Sequence, residues 1–337
     1  SCEALLSAPS GCDIGRNPDD THTNLVGIFD PDTHEGLEEM AALVDYSMTR
    51  QYTGTGMINL PVAQAVFARV MLMELPEEGT CQAIAGPWSR AGVVETRSRD
   101  MGEFVALRTF RDFDIEFVVK MPRTAMDPDH PELYQYIKIG AFGFFEDEDY
   151  ELEVFCHGGE EGYIVDDALE TPEIRDLGIV SPDYGAGRMI EIDADDPEDL
   201  TIEWTPTSEW TDYFMIRIFP LNMARQVVCR AHDSDGSFTI PASMLGTLPV
   251  GDASLMMGRT SEKIFTFEGS KKGVASSSVN VLGMVAIGVD GDDDGFVRIE
   301  DGGTDCDDAS PFVNPGEPED PRNGIDDDCD GIVDEEE

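Results

Sequence analysis

Leu200-Thr201-Ile202-Glu203-Trp204 alternates apolar and polar side chains. Successive side chains of a strand point to opposite faces, so the run predicts an antiparallel strand with Leu200, Ile202 and Trp204 turned inward. Similar runs follow at short intervals: YFMIRIF at 213–219, RQVVCR at 225–230, SFTIP at 237–241, SLMMGR at 254–259, KIFTF at 263–267 and VNVLGMVAIGV at 279–289. RMIEI precedes it at 188–192, and an earlier set comprises GVVET at 92–96, EFVALRT at 103–109, DIEFVVK at 114–120, LYQYIKIGAFGFF at 133–145 and YELEVF at 150–155. Short β-branched and aromatic runs separated by Gly, Pro, Asp or Asn are strands, and strands at this spacing pack as sandwiches. The expected fold is mainly β, with two β-sandwich-like (immunoglobulin-like) lobes at 91–187 and 188–289. Their junction lies near the loops 181–187 and 193–199.

The N-terminal residues 1–90 predict an arm and a helical cap. Residues 1–30 are polar and broken by Pro9, Gly11, Gly15 and Pro18, as in an extended segment. From Glu35 to Arg50, Leu37, Met40, Ala41, Val44 and Met48 recur every three or four positions, the period of an amphipathic helix capped by Asp32 or Thr33. Val62 to Leu75 fits either a second helix or a buried strand.

The tail, 290–337, carries the chemistry. With Asp326 as position 1, acids fall at positions 1, 3, 5, 9 and 12 (Asp326, Asp328, Asp330, Asp334, Glu337), and Gly331 stands at position 6. Ca²⁺ takes six to eight hard oxygens, so alternate side chains must converge while the chain turns sharply. The backbone carbonyl of position 7, here Ile332, adds a ligand. An upstream loop repeats the start with Asp290, Asp292, Asp294 and Gly295, Phe296 at position 7 and Asp301 at position 12. Arg298 stands where an acid belongs at position 9, so this loop binds more weakly or borrows from Asp305, Asp307 or Asp308. Pro311, Pro315, Pro318 and Pro321 separate the two loops and forbid the flanking helices of a helix–loop–helix sensor.

The residues Asp305-Cys306-Asp307-Asp308, Pro311, Asn314-Pro315-Gly316 and Asn323-Gly324-Ile325-Asp326-Asp327-Asp328-Cys329-Asp330-Gly331 resemble the MopE-type metal-binding motif of bacterial surface and secreted proteins. The segment is similar in logic to thrombospondin type 3 repeats. The resemblance covers about 48 residues of the chain, and it implies bound calcium and a Cys306–Cys329 disulfide. More weakly, Asp199–Trp204 and Cys229–Pro241 resemble a β domain of exported proteins from myxobacteria and their relatives, a family of undefined function.

Composition narrows the setting. The 337 residues carry a formal charge of −48, from 70 acids against 22 bases. The tail holds 20 acids and two bases, so the remaining residues still carry −30. Such a surface repels nucleic acid and anionic lipid, and it suits a medium rich in salt or divalent ions. Seven widely spaced cysteines, with no C-x-x-C pair, point to disulfides in an exported protein rather than to zinc or thioredoxin chemistry. Ser1-Cys2 leaves two alternatives open: a lipidated Cys2, the only membrane link foreseen, or a Cys2–Cys12 bridge. Cys156 and Cys229, both at strand ends, are candidates to bridge the lobes.

Nothing in the sequence signals catalysis. The five histidines (His22, His34, His130, His157, His232) are scattered, and G-x-S-x-G, H-E-x-x-H and phosphate-binding glycine loops are absent. Met71, Met73, Met256 and Met257 lie in apolar runs and read as core. Asp193–Asp199 and Asp233–Gly236 are minor candidates for further calcium. The expectation is a non-enzymatic, calcium-binding, structural or adhesive protein of the extracellular space or outer cell surface. Its partners are then itself, other surface proteins or glycans, with Val279–Val289 either an internal core strand, the favoured reading, or a candidate contact strand. Two rivals remain: a calcium-dependent carbohydrate-binding module using Trp88, Trp210 and Tyr184, and a secreted hydrolase.

Overall fold

The computed structural model describes residues 38–40, 42–53, 56–86, 88, 91–93, 98, 101, 103–111, 114–127, 130–140, 151–156, 164–170, 179–181, 189–206, 213–267 and 271–334. These are mainly β, as expected. A 13-stranded mixed sheet runs from Ile164–Glu170 through Glu151–Cys156, Phe104–Arg111, Asp114–Asp127, His130–Ile139, Gly56–Val66 and Ala42–Thr53 to Lys271–Gly288. It continues through Gly251–Phe267, Tyr213–Pro220 and Arg225–Ala231 to Thr80–Ala85. Neighbours on this path are antiparallel, except that Ala42–Thr53 runs parallel to Lys271–Gly288. Ile190–Asp193 also lies parallel to Lys271–Gly288, beyond the point where Ala42–Thr53 stops.

Leu200–Trp204 behaves as its alternation demands. It sits in a smaller antiparallel sheet between Ile179–Ser181 and Ser237–Ile240, with Ile202 and Trp204 buried and Thr201 and Glu203 in solvent. The smaller sheet covers one face of the large one: the Trp204 indole stacks on Phe214 with centroids 3.9 Å apart. Ile202 and Ile240 join Ile216, Val227, Leu255, Met257 and Val281 in one core. Tyr213–Pro220 is covered on its other face as well, by Met71, Met73 and Trp88, which is why its sequence is almost unbroken apolar.

The helix expected over 35–50 is replaced, from residue 38 on, by strands at Glu38–Met40 and Ala42–Thr53. The physical reason is burial on both faces. Leu43, Val44, Asp45, Tyr46, Met48 and Thr49 are all buried, so apolar residues recur without strict alternation and imitate a helical stripe. Asp45 is tolerated because Ser276 Oγ donates to its Oδ1 at 2.7 Å. The 62–75 run resolves as strand, within Gly56–Val66 and Val70–Leu72. Strands from both halves of the chain share the large sheet. The Cys156–Cys229 bridge does not form: Cys229 bonds Cys81, directly opposite it in the Thr80–Ala85 ladder. Nor is Val279–Val289 an exposed edge, since Lys271–Gly288 is paired on both sides. Cys2, Cys12 and the 182–187 loop lie outside the described residues.

One buried ion pair pins the two sheets together. Arg259 Nε donates to Asp233 Oδ1 at 2.8 Å, with both side chains almost fully buried, and the Trp204 indole N–H donates to the Asp233 carbonyl at 2.8 Å. Removing one partner strands a buried charge, which costs about 3–5 kcal/mol, whereas replacing both with apolar groups is far milder. Asp233→Ala is therefore expected to lower unfolding stability in urea by about that amount, and Asp233→Leu combined with Arg259→Met to recover most of it.

Candidate metal centre

Two acidic loops lie beyond the end of Lys271–Gly288, the central strand of the large sheet, and they follow the same backbone course. Asp293 and Cys329, at position 4 of each loop, have φ of 63° and 58°; Gly295 and Gly331, at position 6, have φ of 95° and 92°. Left-handed residues at positions 4 and 6 make the sharp turn of each loop, and position 6 is glycine because a Cβ is strained there. The hydrogen bonds repeat too. The Gly295 N–H donates to Asp290 Oδ2 at 2.8 Å, as the Gly331 N–H does to Asp326 Oδ2 at 3.0 Å. The N–H groups of Phe296 and Ile332 donate to Asp294 Oδ1 and Asp330 Oδ1 at 2.9 and 2.8 Å.

This shared course gathers oxygens. Asp290, Asp292 and Asp294 bring one oxygen each within 4.8 Å of one another, and Glu319, Asp326 and Asp328 do the same. Glu319 is the member that loop spacing does not reveal. It comes from the bridge, where an acid between Pro318 and Pro321 is held on a stiff extended segment. Its Oε2 and Oε1 accept from the N–H groups of Asp327 and Asp334 at 2.9 and 2.8 Å. Asp334 in turn accepts the Gly324 N–H at 2.8 Å. Asp301 stands apart, with Oδ2 accepting from Arg298 Nε at 2.8 Å and the Val289 N–H at 3.1 Å. Asp307 is exposed, its N–H donating to Asp305 Oδ1 at 2.8 Å. Glu337 lies outside the described residues.

Several carboxylate oxygens in these clusters are buried and meet no donor: both of Asp292, Oδ2 of Asp305 and Oδ1 of Asp326. A buried anion without a partner is costly, and a cation at each cluster removes that cost. The donor set is oxygen only, so the residues present fit a hard metal ion. Burial, then the charges of Asp294, Asp292 and Asp308, push the Asp305 carboxyl up to about 6. Burial, followed by Asp294 and Asp290, raises that of Asp292. Asp301 moves the other way: Arg298 and the Val289 N–H outweigh its burial and hold it below the usual carboxylate range.

Three braces hold the loops in place. The Cys306–Cys329 disulfide ties them together. Asn314, itself buried, donates from Nδ2 to Asp294 Oδ2 at 2.7 Å, while its N–H donates to the Asp327 carbonyl at 2.9 Å. Glu191, on the Ile190–Asp193 strand, accepts from the Val297 N–H and the Thr304 hydroxyl, fastening the tail to the large sheet. Burial raises the Glu191 carboxyl against the pull of those two donors, and the Asp294 charge adds to the rise. Sequence spacing does not signal the role of Glu191, which lies about a hundred residues away.

The remaining candidates are absorbed by structure. Asp233 is ion-paired to Arg259. Asp193 caps the N–H groups of Asp195 and Asp196 at 3.0 and 3.2 Å, and Asp199 accepts the Ala242 N–H at 2.8 Å. Trp88 is 5% exposed and offers no sugar platform, while Trp210 and Tyr184 lie outside the described residues. His232 Nδ1 is bonded to Ser234 Oγ at 2.7 Å.

A raised carboxyl pKa stabilises the metal-free fold below the ordinary value near 3.8, and that stability is lost as pH rises through about 6. With chelator present, amides at 290–308 are expected to exchange more freely, after correction for intrinsic rate, at pH 7.5 than at pH 5. With metal the order reverses, because protons then compete for the same oxygens. Hydrogen exchange read by mass spectrometry checks both arms.

Comparison with known proteins bears on the downstream loop. No curated protein matches the chain. Residues 305–335 match the family model named for copper binding in MopE, whose description is "Putative metal-binding motif". The match takes in the Cys306–Cys329 pair, Glu319 and the 326–334 loop, and it leaves the 290–301 loop outside.

Proposed function

We propose that this chain is a non-catalytic, structural protein of the cell exterior whose C-terminal tail is ordered by two calcium ions. The observation that carries this reading is the set of buried, donorless carboxylate oxygens at Asp292, Asp305 and Asp326. Repulsion among them opposes the folded tail, and a divalent ion at each cluster converts that repulsion into a bond. Calcium is the ion favoured. The tail 290–337 contains neither methionine nor histidine, whose thioether and imidazole donors suit copper, and Mg²⁺ rarely gives up its water to so many carboxylates. Extracellular modules of this kind bind in the range of about 0.1–1 mM, where secreted proteins meet calcium.

Two disulfides, Cys81–Cys229 and Cys306–Cys329, support an oxidising compartment. Among the described residues no helix is long and apolar enough to cross a membrane. A tail held rigid by metal presents Phe312, Ile332 and Val333 to solvent, each more than half exposed. This supports an adhesive role in which the ordered tail meets a second copy of the chain.

Native mass spectrometry and calcium titration test the reading. Two Ca²⁺ per chain are expected, with one lost in Asp328→Ala and a thermal midpoint that rises with calcium. Fewer than one ion per wild-type chain, or Cu²⁺ taken up in preference to Ca²⁺, overturns it. Light scattering with calcium and with chelator tests the adhesive part: calcium-dependent self-association is expected, and a monomer under both conditions removes that partner.

A further inference from the structure

We propose that the upstream cation is held by a composite site, in which Asp290, Asp292 and Asp294 are completed by Asp305 from the downstream run and Asp301 takes no part. The proposal rests on the metal-binding reading above and deepens it, because it reassigns a ligand that loop spacing places at position 12.

A cluster of acids is not by itself a site; Asp305 is what distinguishes this one. The residue is 1% exposed, and its Oδ1 accepts the Asp307 N–H at 2.8 Å. Its Oδ2 is buried with no donor. The charges that bear on it are those of Asp294, Asp292 and Asp308. Asp292 faces Asp294, Asp290 and Asp308, again with both oxygens donorless. The donorless oxygens of two segments thus share one neighbourhood.

The backbone delivers Asp305 there. Residues 298 and 305 form an isolated parallel bridge. Within it the Asp305 N–H donates to the Val297 carbonyl and the Ile299 N–H to the Asp305 carbonyl, both at 3.0 Å. Asp308 closes the far side: its Oδ1 accepts the Gly291 N–H at 2.5 Å, and a Cβ on Gly291 would lie 2.6 Å from Asp308 Oδ2. Asp301 meanwhile serves Arg298 and the end of the central strand, so its charge is already met by a guanidinium. Three carboxylates within 4.8 Å of one another, with the buried Oδ2 of Asp305 in the field of two of them, suit a hard divalent ion of calcium size.

Calcium titration of the full chain, with native mass spectrometry for stoichiometry, decides the point. Asp305→Asn and Asp292→Asn are each expected to fall from two ions to one, and Asp301→Asn to keep two. Circular dichroism and the intact mass of the oxidised chain show whether each variant is folded. Asp292→Asn, at a less buried residue than Asp305, guards against a buried substitution that simply misfolds. If Asp301→Asn loses an ion while Asp305→Asn keeps both, the composite site is overturned. If wild type binds one ion and Asp328→Ala alone abolishes it, the upstream site is absent while metal binding at the downstream loop stands. If wild type binds none, the metal-binding reading itself falls.

Discussion

Lys271–Gly288 is the strand around which the large sheet is built. Gly251–Phe267 pairs along one of its edges for seventeen residues. Ala42–Thr53 and then Ile190–Asp193 share the other edge, both parallel to it. A strand hydrogen-bonded on both edges and buried over most of its length has to be apolar and small. Val279, Val281, Val285 and Ile287 supply the core, and Gly288 sits where Val297 and Asp301 press close. Antiparallel pairing to Gly251–Phe267 needs only a local turn, whereas pairing to residue 42 closes a loop of more than 200 residues. The sheet is therefore bound to be slow to assemble relative to its hairpins.

The acidic tail takes its position from that strand. Val289 follows it directly, and its N–H reaches Asp301. Glu191 sits on the short strand alongside and grips the tail at Val297 and Thr304. The acidic loops are thus anchored on a rigid support rather than hung on a flexible leash. The same arrangement explains why the tail needs so little hydrophobic core of its own. Val297 and Val313 are its buried aliphatics among the described residues of 290–334, and the rest of its order comes from Asx-type hydrogen bonds, a disulfide and electrostatics.

Much of this was legible locally. Alternation in Leu200–Trp204 is a consequence of strand geometry and needs no knowledge of partners. Positions 1, 3, 5 and 6 of both loops are likewise set by the ligand chemistry and the turn, which is why Asp290–Gly295 and Asp326–Gly331 could be recognised from spacing alone. The helix expected over 35–50 failed for an equally physical reason. Period is informative only when one face is wet, and residues 42–49 are buried on both.

By itself, then, the sequence determined the mainly-β class and the two acidic loops, because each of these depends on residues close together in the chain, while the Cys306–Cys329 pair was implied by the family resemblance. Tertiary structure alone decided that the two halves share one sheet, that Cys229 pairs with Cys81 rather than Cys156, and that Glu319, Asn314 and Glu191 reach the loops. Those contacts join segments many residues apart, and side-chain spacing along the chain carries no record of which distant segment will be folded against it.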